Sequence, residues 1–125
     1  MLHIDEIQLQ SLKITEGWTV RHNRFYDLIP KGELQIEGIT NNDGWLLFDQ
    51  DLLQMENAKR GVVLDLGWYP DEDPEGRFRL ILTRQGDWKD LLFKKESNNK
   101  DEVIQEINKI LSKVTSGEFF KGLNS

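Results

Sequence analysis

A β-hairpin is predicted by residues 62–83, which read VVLDLGWYPDEDPEGRFRLILT. Residues 62–69 are mostly apolar and rich in β-forming side chains, a composition typical of a central strand. Residues 77–83 return as a second strand, whose apolar and polar positions alternate at its start. The intervening residues 70–76 contain two prolines and a glycine, as a turn-rich loop does. The stretch therefore predicts two paired strands with a long acidic tip, placed at the centre of a sheet.

Further strands are predicted on both sides of this hairpin. Alternation and β-forming composition place them at residues 7–14, 17–20, 33–37, 45–48 and 88–95. A turn cluster at 40–44 ends in the Asp43-Gly44 pair, which readily supplies positive φ angles. Residues 51–59 are compatible with a strand or with a helix, since Leu, Gln, Met, Glu and Ala are all good helix formers. The sequence leaves both interpretations open.

The clearest element is a C-terminal helix. Asn99 can cap its N-terminus, Glu102 lies at the spacing of a capping box, and Gly117 suits the position just past the C-terminus. One apolar stripe lies between them: Val103, Ile104, Ile107, Ile110, Leu111 and Val114. Because this stripe must cover an apolar surface, we predict an α+β fold, an antiparallel sheet of about five or six strands with the helix packed on one face. Residues 1–125 fit a single domain.

The composition argues against several classes of protein. Without cysteine the chain forms no disulfide and no thiolate metal site, which favours a cytoplasmic location. The N-terminal MLHIDE lacks the basic and apolar regions of a signal peptide, and the apolar runs are far shorter than the ~20 residues of a membrane span. A net charge of −6 disfavours nucleic acid as a partner, because phosphate contacts require a surplus of cations. A basic protein partner is allowed.

The negative charge is concentrated in the hairpin. Residues 62–76 contain five of the 22 acids and no lysine or arginine, whereas the rest of the chain holds 17 acids against 16 bases. Asp71, Glu72, Asp73 and Glu75 repel one another unless water screens them. One interpretation is a solvated loop tip. The other is a negative projection that enters a basic cleft of a partner, with Tyr69 as an apolar anchor beside it.

A calcium-binding loop is a third interpretation of the same residues. Asp71, Asp73, Glu75 and Gly76 match positions 1, 3, 5 and 6 of such a loop. Position 12 would be Leu82, where a bidentate glutamate is required, and a proline interrupts the loop. We therefore predict no metal site. Trp68, which precedes the loop, is expected to lie in the core.

The sequence contains no recognisable catalytic motif. The serines lie outside any Gly-x-Ser-x-Gly turn, and there is no Gly-rich phosphate loop, His-Glu-x-x-His pair or dinucleotide fingerprint. His22 lies between Arg21 and Arg24, and as a general base it would need an orienting carboxylate that the sequence does not locate. We predict a protein that is not an enzyme and that binds no cofactor.

Three short segments carry a resemblance to a known group of proteins: LDLGWYP at 64–70, DPEG at 73–76 and FRL at 78–80. They look like small bacterial proteins encoded beside secreted or contact-dependent toxins, many of which act as immunity proteins. The likeness covers Leu64 to Trp88 and, in outline, the terminal helix. It implies a cytoplasmic protein that binds one cognate toxin and blocks it. The acidic hairpin would then occupy a basic toxin surface as a phosphate mimic.

Two alternatives come from other classes of protein. One is a small enzyme or ligand-binding domain that works through His22 with an acidic partner residue. The other is a structural or assembly subunit that uses a face of the sheet left uncovered by the helix. Ligand-induced stabilisation would indicate the first, and a concentration-dependent dimer would indicate the second.

Overall fold

The computed structural model describes residues 2–32, 34–39 and 43–121. Its strands are β1 (Leu2–His3), β2 (Trp18–Asn23), β3 (Ile36–Glu37), β4 (Leu53–Asn57), β5 (Val62–Tyr69), β6 (Arg77–Arg84) and β7 (Leu91–Ser97). Its α-helices are α1 (Lys100–Ser116) and α2 (Glu118–Lys121), and short 3-10 helices lie at Ile4–Glu6 and Gly44–Leu47.

Within these described ranges, five strands form an antiparallel sheet in the order β2-β4-β5-β6-β7, with β5 at its centre. The short strands β1 and β3 pair in parallel as a separate ladder. The long helix α1 follows the last strand of the sheet. The predicted α+β class, with an antiparallel sheet and a C-terminal helix, is confirmed.

Strands β5 and β6 form the predicted hairpin. Their register runs from Val62 opposite Arg84 to Tyr69 opposite Arg77, which leaves residues 70–76 as the loop at the tip. Because side chains alternate along a strand, the two strands present two different faces. The inner face is buried and apolar, and its hairpin members are Val62, Leu64, Leu66, Trp68, Phe78, Leu80 and Leu82. Asp65, Tyr69 and Arg79 lie on the opposite, outer face of the hairpin.

Helix α1 covers part of the inner face with the predicted stripe. Its buried residues Val103, Ile107, Ile110, Leu111 and Val114 join one core cluster with the inner residues of the strands. Asn99 Oδ1 caps the helix by accepting from Glu102 N at 3.2 Å, and Gly117 ends it at a φ of 83°. Glu102 does not complete a capping box, because Asn99 N donates to Ser97 Oγ instead. The Glu102 carboxylate bonds Ser97 Oγ and Lys95 Nζ, both at 3.0 Å.

An aromatic cluster fills the inner face near the tip of the hairpin. Trp68 stands at its centre, with ring centroids 4.9 Å from Phe78, 5.3 Å from Phe48 and 5.9 Å from Trp45. Phe25 packs edge-on against Phe78 at 5.8 Å. These residues come from β5, β6 and the long connection between β2 and β4. That connection is therefore a packed part of the core, and Trp68 lies where the sequence predicted it.

Two predicted strands are wrong. The 7–14 segment runs as extended chain with one isolated bridge, Leu9 to Tyr26, and Lys13 N donates to Asn108 Oδ1 on helix α1. Residues 45–48 form a 3-10 helix and its end, because Asp43 Oδ1 caps the turn by accepting from Trp45 N at 3.0 Å. In both places the backbone groups find partners outside the sheet, which a pattern of apolar residues does not reveal.

The structure also refines the bounds of the other predicted strands and of the predicted turn. The open choice for 51–59 resolves as strand, since Leu53–Asn57 pairs with β2 on one side and β5 on the other. The 33–37 strand is reduced to Ile36–Glu37, paired with β1, and Glu33 lies outside the described residues. The turn cluster at 40–44 is described only from Asp43 onward. The strand predicted at 88–95 is found at Leu91–Ser97.

Candidate functional site

The loop of residues 70–76, called the acidic loop below, is tied to the body of the protein by its own backbone. The indole Nε1 of Trp68 donates to the carbonyl of Asp73 at 2.7 Å, and Gly76 N donates to the same carbonyl at 2.9 Å. Asp73 Oδ1 accepts from Glu75 N at 2.9 Å, and Glu72 N donates to Phe48 O at 2.6 Å. The loop is therefore bonded to two buried residues of the body, Trp68 and Phe48, and to itself around Asp73.

Among the described residues, the carboxylates on this loop have no cationic partner. The acids that form described salt bridges all lie outside residues 71–75: Asp5 (with His3), Asp27, Asp49, Glu56, Asp90, Glu96, Glu102 and Glu106. Asp71, Glu72 and Glu75 are exposed, and Asp73 is half-buried. A group of like charges fixed in place and screened only by water attracts cations more strongly than a mobile one.

Tyr69 lies beside the loop but not in the position of a free anchor. It stands on the outer face, half-buried, and the guanidinium carbon of Arg79 lies 4.2 Å from the centroid of its ring. Burial raises the pKa of Tyr69, and the carboxylates of Asp65, Asp51 and Asp71 raise it further, against the opposing charge of Arg79. One face of the ring is thus occupied by a cation of the protein itself. Contact with a partner is limited to the rest of the ring.

A second group of polar residues lines a cavity on the outer face, called the outer-face cavity below. Its volume is about 190 Å³, and it is lined by His22, Asp51, Leu53, Gln54 and Asp65. Gln54 Nε2 donates to Asp65 Oδ2 at 3.1 Å, and His22 Nε2 lies 2.6 Å from the carbonyl of Asp51. A carbonyl only accepts, so His22 Nε2 is the donor in this bond.

The cavity exists because of the register of three strands. His22 on β2 lies opposite Gln54 on β4, and Gln54 lies opposite Asp65 on β5, so the three side chains form one row across the outer face. A bulge in β2 between Val20 and His22 sets that register. Burial raises the pKa of Asp65, as does the charge of Asp51, while the Gln54 hydrogen bond and the nearby His22 act in the opposite direction.

Gly67 lies on β5 where residues 49–52, which include Asp51 of the cavity, pass close to the strand. A Cβ there would lie 2.7 Å from Tyr69 Cε2 and 2.9 Å from the carbonyl carbon of Gln50, and closer still to the oxygen of that carbonyl. Leu52 N donates to Leu66 O and Trp68 N donates to Asp49 O, so residues 49–52 run tightly along the end of β5. Only a residue without a side chain permits this approach, which places Asp51 beside His22 and Asp65.

Sequence reasoning identified part of this arrangement. The sequence predicts Asp71 to Glu75 as a cluster, but it does not locate the orienting carboxylate that His22 would need as a general base. The structure brings Asp51 and Asp65 to His22, although the bond that His22 makes is to a main-chain carbonyl. Asp51 and Gln54 went unnoticed, because strand register depends on the folded sheet. The signal that existed was the polar Asp65 in the middle of an apolar strand.

The described residues hold no group of three or more His, Asp or Glu side chains arranged for a metal ion. Leu82, at position 12 of the considered calcium loop, is a fully buried residue of β6. No described helix is long and apolar enough to cross a membrane. Comparison with protein-family models, with curated proteins and with solved structures finds no match to this chain.

Replacing Asp65 with Asn is expected to change how stability depends on pH. The pKa of Asp65 is raised in the folded protein, so the native state holds this proton at pH values where the unfolded chain has lost it. The contribution of Asp65 to stability therefore falls as the pH rises from about 3.9 through its native pKa. Asp65→Asn lacks that fall because an amide does not titrate, and its oxygen can still accept from Gln54.

The difference in free energy of unfolding, variant minus wild type, should rise with pH over this window and then level off. Urea unfolding of both proteins between about pH 3 and pH 8 measures it. Glu118→Gln, which removes a fully solvated charge on α2, serves as the control and should give a flat difference. A difference for Asp65→Asn that falls with pH contradicts the argument.

Proposed function

We propose that this protein is a non-enzymatic binding protein that engages a basic protein surface through its acidic loop. The observation that carries the proposal is unpaired charge on a loop whose backbone is bonded to the core. Asp73 is bonded through its main chain to the buried Trp68, while none of the loop's carboxylates has a salt-bridge partner among the described residues. The rest of the chain is nearly neutral, so the negative electrostatic potential of the protein is concentrated around this loop.

Rigidity matters because binding has an entropic cost. A mobile loop would lose conformational freedom on docking, and each ordered side chain costs about 0.5–1.5 kcal/mol. A backbone fixed in advance avoids part of that loss. Fixed charges of one sign also steer a charged partner during diffusion, which raises the association rate more than the final affinity.

The finer proposal is that the partner is a bacterial toxin and that the protein is a cytoplasmic immunity protein. Its support is the resemblance of segments 64–70, 73–76 and 78–80 to immunity-type proteins, together with the acidic loop. Toxins that act on nucleic acids present basic surfaces to bind phosphates. A loop with four carboxylates in five residues offers such a surface the charge that it recognises.

Removing the loop charge should slow association with a basic partner. In the quadruple variant Asp71→Asn, Glu72→Gln, Asp73→Asn and Glu75→Gln, the side-chain shapes and the Asp73 turn are kept. With the product of the adjacent reading frame as partner, we expect an association rate about tenfold lower at low salt, and a nearly flat dependence on salt. Stopped-flow or surface plasmon resonance across a range of salt concentrations measures both.

A matched control separates local charge from net charge. Glu16→Gln, Asp87→Asn, Asp101→Asn and Glu118→Gln also remove four exposed carboxylates, and none of these residues forms a described salt bridge. This control should retain most of the association rate. If both quadruple variants lose it equally, net charge alone is responsible and the loop has no special role. If the loop variant associates as fast as wild type, the proposal is wrong.

The outer-face cavity supports a second candidate, a small-ligand or catalytic domain built around His22. Asp51 and Asp65 give His22 the acidic neighbours that such a role requires. However, pockets for free small molecules usually measure about 300–1,000 Å³, and this cavity is smaller at about 190 Å³. A thermal-shift screen of metabolites distinguishes the two functions, since a native-state ligand raises the melting temperature.

A further inference from the structure

We propose that the outer-face cavity receives an arginine side chain of the partner, an inference that rests on the proposed function. The lining residues carry two carboxylates, Asp51 and Asp65, and no lysine or arginine. Two arginines of the described residues have other partners, since Arg24 pairs with Asp49 at 3.0 Å and Arg79 lies over the ring of Tyr69. The carboxylates of Asp51 and Asp65 have no lysine or arginine partner among the described residues.

Hydrogen bonding within the cavity points to the same ligand chemistry. Gln54 satisfies Asp65 Oδ2, while Asp65 Oδ1 and the carboxylate of Asp51 make no described hydrogen bond. An incoming group therefore has to bring hydrogen-bond donors. A cation with several donors satisfies both the charge and these acceptors.

The volume and the spread of acceptors favour guanidinium over ammonium. About 190 Å³ corresponds to roughly six water molecules at ~30 Å³ each, enough for the end of one side chain. The two carboxylates belong to two separate segments, residues 49–52 and β5. Guanidinium presents five donors in a fixed planar fork and can reach acceptors on different sides, whereas an ammonium acts as a compact point charge.

The cavity and the acidic loop belong to one continuous surface. Asp65 of the cavity and Tyr69 lie on the same face of β5, and the acidic loop begins at the residue after Tyr69. A partner that docks on the acidic loop would therefore also cover the outer face around Tyr69. An arginine buried in a pocket at such a site is the kind of residue that dominates binding energy.

A small-molecule titration tests the cavity without any protein partner. The probe is N-acetyl-arginine amide, its neutral isostere is the citrulline analogue, and the ammonium comparison is N-acetyl-lysine amide. We expect saturable NMR shifts of the Gln54 side-chain amide and of the His22 and Asp65 backbone amides, with a dissociation constant on the order of 1–10 mM. The citrulline analogue should cause none, and the lysine analogue should bind more weakly.

Variants assign the effect to the cavity. Asp65→Asn should weaken binding of the arginine probe about tenfold, the lower end of what a hydrogen bond between charged groups contributes. Asp51→Asn, at an exposed position, gives the same test if Asp65→Asn folds poorly. Glu118→Gln should bind as wild type. The quadruple loop variant should still bind the probe, so failure of the loop proposal and failure of this inference give different results.

Three outcomes overturn the inference. The first is the absence of saturable shifts up to the solubility limit of the arginine probe. The second is equal binding of the citrulline analogue, which would mean that charge plays no part. The third is equal binding of the lysine analogue, which would remove the argument for a guanidinium.

Discussion

Replacing Trp68 with alanine is expected to lower the free energy of unfolding by about 3–5 kcal/mol, the usual cost of removing a buried aromatic side chain. Trp68 is 0% exposed and touches Trp45, Phe48 and Phe78, which come from two different parts of the chain. Its removal leaves a cavity at the centre of this aromatic cluster. Urea unfolding measured by far-UV circular dichroism gives the change directly.

The variant Trp68→Phe separates the core from the loop. Phenylalanine keeps an aromatic ring in the cluster but has no N–H, so the carbonyl of Asp73 loses the indole donor at 2.7 Å. We expect a smaller loss of about 1–3 kcal/mol, together with faster hydrogen exchange of the Gly76 and Glu72 amides. Those two amides report on loop order because both are bonded at its base.

Trp88→Phe is the matched control for these tryptophan changes. Trp88 lies in the turn before β7 and is 61% exposed, so its replacement should change stability by less than about 0.5 kcal/mol. If Trp68→Phe leaves loop exchange at the wild-type rate, the indole does not hold the acidic loop. The rigidity that supports the proposed function would then need another source.

Gly67→Ala should be the second large effect, a loss of about 1–3 kcal/mol from overpacking. The new methyl group would overlap the Gln50 carbonyl, which is backbone and cannot rotate away. Residues 49–52 must then move off the end of β5, which weakens the bond from Trp68 N to Asp49 O. Chemical denaturation measures the loss, and the amide exchange rate of Trp68 should rise.

The same variant should also disturb the outer-face cavity, since Asp51 lies on the displaced segment. The readout is the change in NMR chemical shift of backbone amides between variant and wild type. It should be larger at Asp51 and His22 than at Val62, which lies at the far end of β5. A stability within about 0.5 kcal/mol of wild type contradicts the close approach of Gln50 to Gly67.

Local sequence determined those elements whose signal is contained in neighbouring residues. The hairpin around Val62–Tyr69 is continuous in apolar and β-forming residues, and the helix from Lys100 has both caps and one apolar stripe. The Asp71–Glu75 cluster is adjacent in the chain, so its place at a hairpin tip followed from the flanking strands. The segments 7–14 and 45–48 carry apolar residues as strands do, but they are not strands of the sheet. Their backbone groups bond to side chains instead, Lys13 N to Asn108 on α1 and Trp45 N to Asp43.

The class of fold, the central hairpin, the terminal helix and the concentration of acid at one loop all follow from the order of the residues. The bond from Trp68 to the loop through Asp73, and the row of His22, Gln54 and Asp65 beside Asp51, depend instead on tertiary packing. The reason is physical. Helical stripes and strand alternation are set over a few residues, whereas strand order, the bulge in β2 and the approach of Gln50 to Gly67 arise only when distant segments pack.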